Sequence, residues 1–151
     1  MPLHWLEDAS EIIVVVPFTA LAEDLIAQCQ QKRIPADRWL CYQNLFAVQC
    51  SQLIFVAAEN CYQPDFVAFA VSLQAQSRLQ AIFFDKSHVC ITQASFRSAM
   101  DKVWSFFAAL EVPKYFLTAT LPPSMVGTFS AVLSLQNMGM IRAQTNRANI
   151  S

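Results

Sequence analysis

Residues 11–16 read Glu-Ile-Ile-Val-Val-Val, and Pro17 closes the run. Five consecutive β-branched apolar residues predict a strand buried on both faces, and a proline that removes a backbone donor predicts its end. A strand without polar alternation belongs to a parallel sheet covered by helices on both sides. The flanking sequence fits that expectation. Leu21, Leu25, Ile26 and Cys29 recur at helical spacing within residues 20–32.

The same alternation runs to the end of the chain. Residues 52–57 (QLIFVA), 81–85 (AIFFD) and 114–117 (KYFL) read as further strands, and residues 36–40 as a short one. Helices are expected over 65–79, with Phe66, Phe69, Ala70 and Leu73 on one face, and over 96–110, with Phe96, Met100, Val103, Phe107 and Leu110 inward. A third is expected over 123–135, with Pro123 in the first turn where its missing N–H is harmless. Residues 140–142 read as the start of a last strand. Strands alternating with helices predict an α/β fold with a parallel sheet. Ligands of such sheets sit beyond the carboxyl ends of the strands, so the polar residues just after each strand carry the functional information.

Composition narrows the function classes. A chain of 151 residues forms one domain with a sizeable core. Charged residues make up 14%, against about 25% in an ordinary soluble domain, so part of the surface is neutral. The net charge of -1 and the absence of any Lys or Arg run argue against strong autonomous DNA binding, which leaves a clustered positive footprint. The five cysteines (Cys29, Cys41, Cys50, Cys61 and Cys90) show no Cys-x-x-Cys spacing, and His4 and His88 are the only histidines. No metal site is expected, and the cysteines read as free thiols of an intracellular protein. Residues 1–10 carry Glu7 and Asp8 and no basic segment, unlike a signal peptide. Residues 115–141 carry no charge, but Pro122-Pro123 and scattered hydroxyls and amides interrupt them, so no membrane partner is expected. Trp5, Trp39 and Trp104 could stack on bases, but Trp104 sits in an amphipathic helical pattern and reads as core.

The strand ends resemble a known family. Residues 14–25 (VVVPFTALAEDL), Asp85-Lys86-Ser87-His88-Val89, Ser95-Phe96-Arg97, residues 117–124 (LTATLPPS) and residues 145–150 (TNRANI) follow one another in the order of motifs of superfamily 2 helicases. The chain is similar to the first RecA-like lobe of RecQ-type DNA helicases, closest to the fungal RecQ-like, telomere-linked group, over roughly residues 11–151. LTATLPPS is the most specific block. The resemblance implies a RecA-like, three-layer parallel sheet with helices on both faces, here lacking the phosphate-loop strand. It divides the chain into residues 1–10, a remnant of the helix after that loop; 11–142, a partial ATP-binding lobe; and 143–151, the start of a junction to a second lobe.

The family's ATP-dependent 3′–5′ DNA unwinding needs groups that this sequence lacks. Asp85 matches the motif II aspartate that holds metal-bound water, but Lys86 stands where a glutamate positions the attacking water. An ammonium with a pKa of about 10.4 cannot take a proton from water at neutral pH and repels a metal ion. His88 matches the residue that couples nucleotide state to DNA. The two glycines, Gly127 and Gly139, lie late and precede no lysine, so no phosphate-cradling loop ending in Gly-Lys-Ser/Thr can be built. ATP and Mg²⁺ are therefore the family's cofactors, with none expected for this chain. Thr118, Ala119 and Thr120 would link ATP state to DNA state, although the two threonines could equally cap the helix at Pro123. Pro17, Thr19 and Ala20 of motif Ia, Glu59 of a degenerate motif Ib (Ala57-Ala58-Glu59) and Arg97, in the DNA-sensing loop of residues 92–97, are the DNA-contact candidates. The plain alternatives are a strand-capping acid for Asp85 and a solvated residue for Arg97.

Three readings follow. The first is a decayed helicase lobe with neither ATPase nor unwinding activity, a pseudoenzyme on which DNA binding is weak or absent. The second is part of a longer helicase that carries the phosphate loop and second lobe. The third is a non-enzymatic module that uses the scaffold for a protein partner. A nuclear location follows from the resemblance alone. The missing interior strand would leave the 114–117 strand with an open edge and make the isolated chain marginally stable or insoluble.

Overall fold

A computed structural model describes residues 10–40, 51–136 and 138–142, with the backbone alone for Ser95, Phe96 and Val103. The elements are β1 (Glu11–Val16), α1 (Thr19–Gln31), β2 (Ala36–Arg38), β3 (Leu53–Ala57), a 3-10 turn (Ala58–Asn60), α2 (Pro64–Ala75) and β4 (Leu79–Phe84). There follow α3 (Val89–Thr92), α4 (Ala94–Ala109), β5 (Lys114–Phe116), a 3-10 turn (Pro123–Met125) and α5 (Val126–Val132). All five strands are parallel, in the order β2-β3-β1-β4-β5. Helices flank this sheet on both faces, as in RecA-like and Rossmann-like three-layer α/β folds.

The β-branched run decides where the layers lie. Alternate residues of a strand point to opposite faces. Ile13 and Val15, with Ile54, Val56, Ile82 and Phe84 of the neighbouring strands, pack under α2, α4 and α5 through Phe66, Phe69, Leu73, Met100, Phe107, Phe129 and Leu133. Val14 and Val16, with Phe55, face α1 through Leu21, Ala22, Leu25 and Ile26. The second cluster is much smaller. It covers β1 and β3, while Tyr115 and Leu117 on that face remain 47% and 45% exposed.

Among the described residues β5 is an edge strand. Its Leu117 amide donates to Phe84 O at 2.9 Å, and Ile82 N donates to Pro113 O at 3.0 Å. Residues 113, 115 and 117 thus turn their peptides toward β4, and by alternation Lys114 and Phe116 turn theirs outward.

Several boundaries differ from the sequence reading. The 65–79 helix stops at Ala75: Ser77 takes a left-handed φ of 56°, its N–H and that of Arg78 close on Gln74 O and Leu73 O, and Leu79 already belongs to β4. Arg33 (φ 56°) and Ser134 (φ 49°) follow α1 and α5 in the same way. A left-handed residue with a side chain costs roughly 1–2 kcal/mol, and both glycines lie elsewhere. The 123–135 helix is a 3-10 turn followed by the shorter α5. Residues 140–142 form no strand: none of the described strands pairs with them, and Ile141 is fully exposed. Residues 92–97 are no loop: Thr92 ends α3 and Ala94 begins α4, with only Gln93 between. Trp39 is wholly buried, stacked on Phe69 at 4.7 Å, and half-buried Trp104 packs edge-on to Phe84 at 6.0 Å, so both belong to the core. Trp5, His4, Cys41, Cys50 and the segments 1–9 and 143–151 lie outside the described residues.

Candidate functional site

A parallel sheet brings every post-strand segment to one rim. From β1 the chain runs to β2 at one edge, returns through β3, and then crosses to β4 on the other side of β1. The reversal falls between β1 and β4, and sheets of this class bind ligands at such a point. The two segments that border it are 17–20 and 85–88. Asp85 N donates to Val15 O at 2.9 Å, so the β1–β4 ladder runs up to this rim. On the β1 side, Pro17 and Thr19 are half-buried, Ala20 is exposed, and no side chain caps the start of α1.

On the β4 side the turn is tied down by β5. Asp85 Oδ1 accepts from Lys86 N at 2.9 Å, which is the strand-capping arrangement. Lys86 is exposed and left-handed, with φ 47°. A bulky side chain in that region signals local strain, which a structure retains only where its surroundings enforce it. Here the enforcing contacts come from Ser87, which is buried, donates through both N (3.0 Å) and Oγ (3.1 Å) to Leu117 O, and so staples the turn to β5.

His88 and Thr118 meet directly, with Nδ1 and Oγ1 2.8 Å apart. Thr118 Oγ1 also accepts from Thr120 N at 3.4 Å. The threonines therefore do not cap the helix at Pro123: the 3-10 turn there has no side-chain cap, and the Thr118 hydroxyl is committed to His88 and Thr120. Ala119 is exposed beside them.

The remaining candidates stand apart from this cluster. Glu59 is exposed in the turn after β3, on the same rim. Arg97 lies in the first turn of α4, where its Nε donates to Cys90 O at 2.9 Å and its Nη2 to Ile91 O at 3.1 Å. Those carbonyls belong to α3, so Arg97 holds the short helix that follows His88. Sequence reasoning missed this role and that of Ser87. The spacing of Arg97 behind a four-residue helix carries no signal of it, because α3 is too short to show periodicity.

Metal and nucleotide fit poorly here. Asp85 is the acid at the end of β4, and one of its oxygens is already taken. Lys86 adds a positive charge next to it, and among the described residues no three His, Cys, Asp or Glu side chains converge to hold a metal. Gly127 lies within α5 and Gly139 near the chain's end, neither with a positive φ, so neither forms a phosphate cradle. The thiols are no better placed. Cys29, Cys61 and Cys90 are unpaired as disulfides, and burial pushes the Cys90 thiol up to about 11 and Cys61 higher still, so neither is a nucleophile at neutral pH. No helix among the described residues is long and apolar enough to cross a membrane. No known family model matches the chain.

Proposed function

We propose that residues 11–142 form part of the ATP-binding lobe of a RecQ-type DNA helicase, and that by themselves they neither hydrolyse ATP nor unwind DNA. The observation that carries this reading is the His88–Thr118 contact at 2.8 Å. It joins the two segments, Asp85–His88 and Thr118–Thr120, that resemble motifs II and III, at the rim where an α/β sheet binds ligands. Segment 17–20, which resembles motif Ia, follows β1 at the same reversal point of the sheet. The inactivity rests on Lys86 in place of a glutamate and on the lack of a Gly-Lys-Ser/Thr loop in residues 1–151. The same reading holds for these residues within a longer chain that supplies the loop and a second lobe. An intracellular, nuclear setting follows from it, with DNA contacts through backbone and hydroxyl groups of 17–20 rather than through a charged patch.

Phosphate release from Mg²⁺-ATP, measured with and without single-stranded DNA, tests the inactivity. Neither the chain nor Lys86→Glu is expected to exceed the protein-free rate, since restoring the carboxylate leaves the phosphates uncradled. DNA-stimulated turnover by the unaltered chain would refute this.

A further inference from the structure

We draw no further inference here: the strongest candidate, the apolar patch of Phe83, Tyr115 and Leu117 on the face of β4 and β5 that α1 leaves open, carries nothing, because nothing in the structure shows what covers it.

Discussion

Arg78→Met is expected to destabilise the protein by about 3 kcal/mol at neutral pH, and by much less in acid. Glu11, the first residue of β1, is 1% exposed. Arg78, just before β4, pairs with its Oε1, while Oε2 has no partner. Burial pushes the Glu11 carboxyl above its ordinary value near 4.5, and Arg78 opposes that rise. With the folded value raised, the stability from protonated Glu11 is fully present below about pH 4.5 and is lost as pH rises through the folded value. Removing the guanidinium raises that value further and leaves an uncompensated buried carboxylate at pH 7. Urea unfolding at pH 7 and pH 4 should therefore give a large loss and a small one. The double variant Glu11→Leu/Arg78→Met should recover most of the loss, since an apolar pair in place of a buried ion pair is often neutral or better. Equal losses at both pH values would rule out this role for Glu11.

Phe84→Ala is expected to cost about 3–5 kcal/mol, a large part of a total stability of about 5–15 kcal/mol. Phe84 is fully buried in β4, stacked on Phe116 at 4.8 Å and edge-on to Phe107 at 5.3 Å. It joins the last two strands to α4, and no neighbour can collapse into its place without unstacking the others. Tyr115→Ala, one strand away on the open face, should cost about 1 kcal/mol or less, because its ring is half exposed and stacks on Phe83 alone, at 4.8 Å. Thermal unfolding of the two variants checks the contrast. Similar losses would mean that the sheet face bearing Tyr115 is covered.

The sheet was legible because its strands are so uniformly apolar. Residues 11–16 predict β1 to the residue, and the alternation of runs and helical patterns predicts the parallel architecture. What failed were endings. α2 overran into β4 because Gln76-Ser77-Arg78 contains no glycine or proline to mark the turn, and the structure makes it with a left-handed serine. Residues 140–142 read as a strand from their apolar side chains, but a strand needs a neighbour's backbone, which composition does not supply. At the site, the residues just after the strands, read through the resemblance, singled out Asp85, His88 and Thr118, of which the structure brings His88 and Thr118 into contact. The fixing contacts of Ser87 and Arg97 were invisible because both run to backbone carbonyls, whose positions depend on tertiary packing.

The most direct test of the helicase reading is a chimera in which residues 11–142 replace the equivalent segment of an active RecQ-type helicase that supplies the phosphate loop and second lobe. DNA-stimulated ATP hydrolysis should be at background with Lys86. With Lys86→Glu it should rise by about a hundredfold or more, and fall again when His88→Ala is added. If the chimeras with and without Lys86→Glu, both folded, hydrolyse ATP at the same rate, then residues 85–88 are not the motif they resemble, and the account fails.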